Sequence, residues 1–306
     1  MKKKTVNSAS MPIYRDSGFE LYNAETIAEA YSGESDPQRV PDYYLYSRYR
    51  NPTVEAAEEE IQEIEGTRWA KLVQSGMAAI DLGLSLFQEA DNKKPWLFLS
   101  EIYGGTISFA DEILKKRRGI DIRSINPDNE RYDPDKFEAA VRDIRPALVY
   151  IEIISNPLLV VPDAEKLFGI AKKYGAKILV DNTFATPYLY KPADHGADIV
   201  IHSATKYFSG HGNLTAGAVC GNDIRLMKSA IKYRRYTGHM LSADDAYRLS
   251  TQMMTFSLRF RQQCANATAI AGLLKRSDLI GKIWFPGLKE HPSHHEAKTL
   301  FGNKGF

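Results

Sequence analysis

The sequence contains very few cysteines. Among its 306 residues only Cys220 and Cys264 are cysteines, and they do not form a CxxC pair. Small secreted folds that depend on disulfides use many more, so a disulfide framework is excluded as the basis of this fold. Free thiols are typical of reducing compartments, and we therefore expect a cytoplasmic protein.

Long hydrophobic runs are also missing. The most apolar stretch, residues 147–154, is short and contains Glu152. A helix that spans a bilayer needs about 18 consecutive apolar residues or more. The lysines at positions 2–4 precede no apolar segment, so they do not predict a secretory signal. We expect no membrane association.

Neither sign of charge dominates. The 40 lysines and arginines nearly balance the 38 aspartates and glutamates, which leaves a formal net charge of +2. A chain with this balance has no general attraction for nucleic acid or acidic membranes. One aromatic cluster with two arginines could stack on bases or form a subunit interface, and we favour the interface and no nucleic-acid partner. Its members are Tyr43, Tyr44, Tyr46, Arg48, Tyr49 and Arg50.

Short apolar segments alternate with amphipathic helical segments through most of the chain. We predict strands at 96–99, 148–151, 178–180 and 199–201, and a helix at 164–174. This alternation is typical of an α/β fold with a mostly parallel sheet covered by helices on both faces. Residues 1–45 are expected to be irregular, and the strand signal fades after Gly221.

Several helix boundaries are marked by their residues. Asn51 and Pro52 predict the start of a helix, and Gly66 predicts its end. A second helix is expected after Ser75 and Gly76. Two long helical segments are predicted at 223–236 and 243–275.

Polar residues follow the predicted strands. Ligands of open parallel sheets bind beyond the carboxyl ends of the strands, so these residues predict a site. They include Ser100, Tyr103, Glu152, Asn156, Asp181, Thr183, His202, Ser203, Thr205 and Lys206.

Two of these residues suggest a particular chemistry. Lys206 follows a buried strand, where an amine could attack a carbonyl, although a surface lysine in a loop is the alternative. Asp181 ends a buried strand and needs a partner, such as a protonated pyridine nitrogen, unless it only caps a turn. A Schiff-base lysine and an acidic partner for the ring nitrogen are what pyridoxal 5′-phosphate (PLP) requires.

The stretch VDNTFATPYLYKPADHGADIVIHSATKYFSGHGN resembles the Cys/Met-metabolism family of PLP-dependent enzymes. That family includes cystathionine γ-synthase, cystathionine γ- and β-lyases, methionine γ-lyase and O-acetylhomoserine sulfhydrylase. The blocks YSRYRNPT, SGMAAI, IYGGT and ISNPLL are also similar to the family and occur in its order. The resemblance implies the PLP-dependent transferase fold, which is aspartate-aminotransferase-like, with an incomplete C-terminal α/β domain.

The resemblance also implies roles for individual residues. Lys206 would form the Schiff base, Asp181 would pair with the pyridine nitrogen, and Tyr103 would stack on the ring and transfer protons. Lys206 and Tyr103 are thus the expected catalytic pair. Asn156 would contact the 3′-oxygen of the ring. Thr183 would support Asp181 or only close a turn.

The cofactor phosphate is expected to be held by two subunits. Within one subunit its ligands would be Gly76, Met77, Ser203 and Thr205, although Met77 could instead be a packing residue. Tyr46 and Arg48 would reach the phosphate of the neighbouring subunit. A homodimer or homotetramer with shared sites is therefore implied.

A histidine group near the C-terminus raises the question of a metal site. His291, His294 and His295 lie around Pro292 in a spacing that fits no standard zinc pattern. The segment GLKEHPSH is similar to a family segment that binds no metal. We expect no metal.

The sequence departs from the family at two places. The family often has aspartate where Asn213 stands. Its members also continue beyond the GLKEHPSH segment, and that remainder includes the arginine that binds the substrate carboxylate. We expect an N-terminal arm at 1–50 that contributes to the neighbouring subunit's site. A PLP-binding large domain at 51–255 and the start of an incomplete C-terminal domain at 256–306 would follow.

We therefore expect an enzyme of cysteine and methionine metabolism that acts on sulfur amino acids or O-activated homoserine. The reaction would be γ-replacement or γ/β-elimination, and the sequence leaves its exact type and substrate open. The alternative is a non-catalytic PLP-binding homologue or an inactive truncated fragment without the carboxylate-binding arginine. A dinucleotide-dependent dehydrogenase is disfavoured, because no GxGxxG follows the first predicted strand.

Overall fold

A seven-stranded sheet is the centre of the fold. The computed structural model describes residues 10–35, 43–89, 91, 93–302 and 304. The strands are β1 Trp69–Val73, β2 Trp96–Leu99, β3 Ile122–Ile125, β4 Leu148–Glu152, β5 Lys177–Asp181, β6 Ile199–His202 and β7 Gly217–Gly221. Their order across the sheet is β1-β7-β6-β5-β4-β2-β3. Among these strands β7 runs antiparallel to both β1 and β6, and the other neighbouring pairs are parallel.

Helices fill the connections and cover both faces of the sheet. They are α1 Ala24–Ser35, α2 Pro52–Glu65, α3 Gly76–Ser85, α4 Gly104–Phe109, α5 Pro134–Ile144, α6 Ala164–Lys173, α7 Thr186–Leu189, α8 Ile224–Thr237, α9 Ala243–Met253, α10 Phe256–Leu274 and α11 His294–Phe301. A π-helical turn at Ala110–Lys115 continues α4, and a 3₁₀ turn lies at Pro192–His195.

The side chains of each strand alternate between two hydrophobic layers. On β4, Val149 and Ile151 belong to the core that is covered by α2, α5 and α6. Leu148 and Tyr150 face the opposite core, which α3 and α8 cover. Because both faces are buried, the strands read as continuous apolar runs, which is the pattern that predicted them.

The mostly parallel sheet and its four predicted strands are confirmed, and three further strands were missed. Strand β3 lies at an edge of the sheet and exposes Arg123 and Ser124, so it lacks an apolar run. Strand β7 begins and ends with glycine, which is a weak strand signal. Strand β1 contains Lys71, which interrupts its apolar pattern.

Two expectations about helices are wrong. Residues 1–45 are not irregular throughout, because they include the largely exposed helix α1, which has little apolar periodicity. The predicted segment 243–275 is divided into α9 and α10 at Met254 and Thr255. The apolar spacing continues across the division through the buried Met253 and Phe256, so periodicity could not reveal it.

The predicted boundaries of α2 are confirmed. The Asn51 Oδ1 atom accepts hydrogen bonds from the amides of Thr53 and Val54, at 2.9 and 3.4 Å. Pro52 occupies the first helical position, and Gly66 ends the helix with a φ of 78°. In that left-handed region a residue with a Cβ is disfavoured, so glycine is the suitable terminator.

The C-terminal helices pack on the sheet rather than apart from it. Phe256, Phe260 and Phe301 are buried in the same core as α2, α5 and α6. The predicted domain limits at 50 and 255 stay a prediction. Within the described part of the chain, no helix is long and apolar enough to cross a membrane.

Candidate active site

A cavity of about 230 Å³ opens at the carboxyl ends of the parallel strands. This is the edge at which the polar strand ends were expected to meet. The cavity is lined by Ser75, Gly76, Met77, Ile80, Tyr103, Glu152, Ile154, Asn156, Asp181, Thr183, Phe184, Ser203, Thr205 and Lys206.

The segment after β6 carries Lys206 to the rim of this cavity. The Lys206 amide donates a hydrogen bond to the Ser203 carbonyl oxygen at 3.0 Å, which turns the chain immediately after the strand. Ala204 is fully buried and anchors the turn, whereas Lys206 is exposed. The fold thus holds the backbone of the turn in place, while the exposed Lys206 lines the cavity.

Asp181 lies at the floor of the cavity, at the end of β5. Its Oδ1 atom accepts a hydrogen bond from the Thr183 amide at 2.9 Å, and its Oδ2 atom lies 3.4 Å from the Tyr150 hydroxyl. Burial raises the pKa of the Asp181 carboxyl, although the bonds from Thr183 and Tyr150 oppose this effect. A cationic N–H group would therefore be a favourable partner for this carboxylate.

Thr183 joins Asp181 to the lysine-bearing segment. While its amide binds Asp181, its Oγ1 atom accepts a hydrogen bond from the Ser203 amide at 2.8 Å. One threonine therefore fixes the end of β5 relative to the residues that follow β6.

The N-terminus of α3 forms another wall. The Ser75 hydroxyl caps the helix by accepting from the Ala78 amide at 3.1 Å. The amides of Gly76 and Met77 begin the helix and have no intrahelical acceptor. A Cβ atom on Gly76 would lie 2.7 Å from the Ser203 side chain, so the helix start packs directly against Ser203. Helix N-termini of this kind bind anions such as phosphate.

Thr205 uses its hydroxyl for the backbone in this structure. Its Oγ1 atom donates to the Ala216 carbonyl oxygen at 3.0 Å and accepts from the Ala216 amide at 2.9 Å. These bonds connect the segment after β6 to the residue before β7. The side chain nevertheless lines the cavity.

Tyr103 lies at the start of α4, with 47% of its surface exposed. A Cβ atom on Gly105 would come within 2.3 Å of the Tyr103 ring, so the ring lies across the glycine. The Tyr103 amide donates to Glu152 Oε1 at 2.7 Å.

The structure brings together nine of the eleven predicted site residues. They are Gly76, Met77, Tyr103, Asn156, Asp181, Thr183, Ser203, Thr205 and Lys206. The cavity is also lined by Glu152, which was expected at this edge of the sheet but was given no role, and by four residues that were not predicted, namely Ser75, Ile80, Ile154 and Phe184. The positions of Ser75 before a helix and Glu152 at a strand end were the available signals, whereas the three apolar residues carry none.

His202 shows that a position at a strand end does not decide where a side chain points. Its Nε2 atom lies 2.8 Å from Glu65 Oε2, and both side chains are almost fully buried. This pair lies away from the cavity lining and connects the end of β6 to the end of α2.

Tyr46 and Arg48 lie elsewhere on the described surface. They line a second cavity together with residues 240–244. The Arg48 Nη1 atom donates to the Arg235 carbonyl oxygen at 2.6 Å, and its guanidinium lies 5.2 and 5.0 Å from the ring centroids of Tyr46 and Tyr49. Within one chain, these two residues therefore do not join the Lys206 cavity.

The donor set of the Lys206 cavity fits PLP. A helix N-terminus with adjacent hydroxyls suits a phosphate, a partly buried carboxylate suits a protonated ring nitrogen, and an amine suits an aldehyde. Among the residues that the structure describes, no group of three or more His, Cys, Asp or Glu side chains could hold a metal ion. His291 and His294 instead face the carbonyl oxygens of Leu158 and Pro286.

Sequence comparisons point to one family. The sequence profile described as "Cys/Met metabolism PLP-dependent enzyme" matches residues 1–306. The chain is 37% identical over 295 residues to the cystathionine beta-lyase of Lactococcus lactis subsp. cremoris MG1363, which covers 96% of this chain and 72% of that protein. It is 34% identical over 296 residues to the L-methionine gamma-lyase of Porphyromonas gingivalis, covering 96% and 71%.

Solved structures that resemble this chain are also cystathionine-metabolising enzymes. The cystathionine gamma-lyase from Lactobacillus plantarum complexed with L-serine matches with a TM-score of 0.85 and 30% identity, over 98% of this chain and 72% of that one. The cystathionine gamma synthase from Xanthomonas oryzae pv. oryzae in complex with cystathionine matches with a TM-score of 0.81 and 32% identity, over 96% and 70%. The predicted fold class is confirmed by these matches.

Proposed function

The chain belongs to the Cys/Met metabolism family of PLP-dependent enzymes, and on this premise we propose that it acts on sulfur amino acids or O-activated homoserine. It is an enzyme of the trans-sulfuration type, and its cofactor is PLP. The reaction is γ-replacement or elimination at the β or γ carbon. The observation that carries this proposal is the meeting of Lys206, Asp181 and the N-terminus of α3 in one cavity.

The proposed cofactor-binding residues surround this cavity. Lys206 would bind the cofactor aldehyde, and Asp181 would bind the ring nitrogen with support from Thr183. Asn156 would bind the 3′-oxygen. The phosphate would be bound by Gly76, Met77, Ser203 and Thr205. When bound, PLP supplies an electron sink for negative charge that develops beside the amino group of the substrate.

Two residues are proposed to move protons. The amine of Lys206, which lines the cavity, would accept and return protons at the substrate carbons. The Tyr103 hydroxyl would act as its partner. Glu152 holds the backbone amide of Tyr103, while the half-exposed Tyr103 ring remains accessible to a substrate that enters from solvent.

We also propose that the protein is cytoplasmic and assembles as a homodimer or homotetramer. Its cysteines are both free and buried, as expected in a reducing compartment. The location of Tyr46 and Arg48 outside the Lys206 cavity of their own chain supports a role at the site of a neighbouring subunit.

Replacement of the lysine tests this function. The purified protein loaded with PLP should show a visible absorbance band, and borohydride reduction should fix the cofactor to the protein. Lys206→Ala should abolish this covalent attachment and reduce turnover by about 10²–10⁴-fold, because the proton-transfer group is lost. The control Lys232→Ala changes an exposed lysine of α8 and should behave like the wild type.

The assay should follow ammonia and keto acid release from cystathionine and from methionine, and thiol addition to O-acetylhomoserine. Covalent cofactor and full turnover in Lys206→Ala would contradict the assignment of the lysine. Cofactor colour in the wild type without turnover of any of these substrates would instead contradict the proposed catalysis.

A further inference from the structure

Glu152 is a buried carboxyl in the cavity that the proposed mechanism does not use. It ends β4, is 6% exposed, and is paired in parallel register with Asp181 on β5. Residues paired in this way project from the same face of a sheet. Two carboxyl groups therefore line the floor of the site side by side.

The Glu152 carboxyl binds two separate walls of the cavity. Its Oε1 atom accepts the Tyr103 amide at 2.7 Å, which lies at the start of α4. The backbone amide of Asn156, in the loop after β4, also faces this carboxyl group and stabilises its charged form. One side chain thus connects the backbone segments that carry Tyr103 and Asn156.

The surroundings of this carboxyl group favour its neutral form. The titratable groups that face it are Asp181 on β5, Tyr150 on β4, Glu101 after β2 and Tyr132 before α5. Burial, followed by the charge of Asp181, raises the pKa of Glu152 well above its usual range, although the two amide bonds oppose this effect. When Glu152 is protonated, Asp181 carries the negative charge of this pair of carboxyl groups. Asp181 is the residue that would bind the ring nitrogen.

We propose that Glu152 is a positioning residue whose carboxyl group holds the amides of Tyr103 and Asn156 and thereby sets the two walls between which the cofactor ring lies. This inference rests on the proposed function, because it concerns the placement of residues proposed to touch the cofactor. Glu152 needs no contact with the substrate for this role. The role requires a planar hydrogen-bond acceptor on a side chain as long as that of glutamate. It does not require a negative charge.

The test compares three replacements with the wild type. Glu152→Gln keeps the planar shape, the reach and a carbonyl acceptor without charge. Glu152→Asp shortens the side chain by one methylene, and Glu152→Ala removes the acceptor. Glu112→Ala, at an exposed site on the π-helical turn, is the surface control.

We expect Glu152→Gln and Glu112→Ala to stay within about threefold of the wild type in PLP affinity, kcat and KM, because both acceptor geometry and fold are kept. Glu152→Ala should lower kcat by about 10–100-fold with a smaller change in KM, because the cofactor and Tyr103 lose their alignment. The visible circular dichroism of bound PLP reports the orientation of the ring independently of turnover. It should change in Glu152→Ala and stay unchanged in Glu152→Gln.

Either of two results would overturn the inference. Glu152→Ala with wild-type kcat and wild-type circular dichroism would show that the carboxyl group positions nothing. Glu152→Gln that is as impaired as Glu152→Ala would show that charge, rather than acceptor geometry, is needed. If Glu152→Ala does not fold, the comparison of Glu152→Gln with Glu152→Asp decides, and equal kcat in these two variants would overturn the inference.

The proposed function is tested first in the same preparation. Wild-type protein that binds no PLP and turns over no substrate contradicts the proposed function. If the wild-type protein binds PLP and turns over substrate, the results for the Glu152 variants test the positioning role alone.

Discussion

A single residue without a side chain shapes the phosphate end of the proposed site. Gly76 begins α3, and a Cβ atom there would lie 2.7 Å from the Ser203 Cβ and Oγ atoms and 3.2 Å from its Cα atom. The last of these atoms belongs to the backbone, which Thr183 holds through the Ser203 amide. Because neither the start of α3 nor the Ser203 backbone can move freely, only glycine at position 76 allows these two segments to lie so close together.

Gly76→Ala should therefore weaken cofactor binding. We expect the added methyl group to push α3 away from Ser203, to cost about 1–3 kcal/mol of stability and to raise the Kd for PLP. Denaturant unfolding and a titration followed by visible absorbance measure these two effects. The matched control is Gly169→Ala in α6, where a Cβ atom meets nothing within 4 Å.

The control should leave PLP binding unchanged and raise stability by up to about 1 kcal/mol, because alanine favours helices over glycine. A Gly76→Ala protein that binds PLP as tightly as the wild type would show that the contact with Ser203 does not shape the site.

At the scale of elements, one buried carboxylate joins α2, β1 and α8. Glu58 accepts hydrogen bonds from the Leu72 amide at 3.0 Å and from Lys71 Nζ at 2.5 Å, and it is paired with Arg234. Arg234 also donates to the Leu72 carbonyl oxygen at 3.0 Å. Burial by itself would raise the pKa of Glu58, but Arg234 and Lys71 outweigh it and hold the pKa below its usual value.

This lowered pKa fixes the sign of the pH dependence. The folded state favours the charged form of Glu58 over the neutral form. The contribution of Glu58 to the stability of the fold is therefore complete above the usual pKa of a glutamate carboxyl group. The contribution is lost as the pH falls through the lowered value. Acid should therefore loosen the packing of α2 and α8 on β1.

Glu58→Gln should destabilise the protein strongly at neutral pH. We expect a loss of about 3–5 kcal/mol at pH 7, because Arg234 and Lys71 lose their buried counter-charge. The difference in the free energy of unfolding between Glu58→Gln and the wild type should become smaller below about pH 4, where the carboxylate of the wild type also becomes protonated. Urea unfolding at both pH values measures this difference.

The control for this prediction lies on the same helix. Glu59→Gln replaces an exposed neighbour and should change the free energy of unfolding by less than about 0.5 kcal/mol. An equal loss in Glu58→Gln at neutral and at acid pH would mean that the charge of Glu58 does not contribute.

At the scale of the whole molecule, the two described cavities divide the predicted site residues. Lys206 and its neighbours line one, and Tyr46 and Arg48 line the other. In a symmetric dimer the same patch occurs on both subunits, so the second cavity of one subunit can face the first cavity of its partner. The proposed shared site requires this arrangement.

Mixing two inactive variants tests the shared site. Lys206→Ala and Arg48→Ala should each be impaired when alone. In a mixed dimer one of the two sites has both defects and the other has none. Co-refolding equal amounts should therefore restore about a quarter of wild-type turnover if subunits assort at random. Activity that stays at the average of the two separate variants would show that each site is built from one chain.

Much of the fold could be predicted because burial leaves a local pattern. Strands β2, β4, β5 and β6 are covered on both faces and read as short apolar runs, and the start of α2 is marked by Asn51 and Pro52. Elements without such a pattern were missed. The edge strand β3 and the glycine-bounded β7 are stabilised mainly by their sheet neighbours.

The sequence by itself determined the alternation of strands and helices, and the residues that mark the family, above all Lys206 and Asp181. Only the tertiary structure decided which side chains meet. It turned His202 away from the cavity to Glu65, joined Glu152 to the amide of Tyr103, and paired Glu58 with Arg234 across 176 residues. Periodicity records whether a residue is buried, because burial acts on each residue locally. It does not record the partner, because hydrogen bonds between distant segments depend on how the whole chain packs.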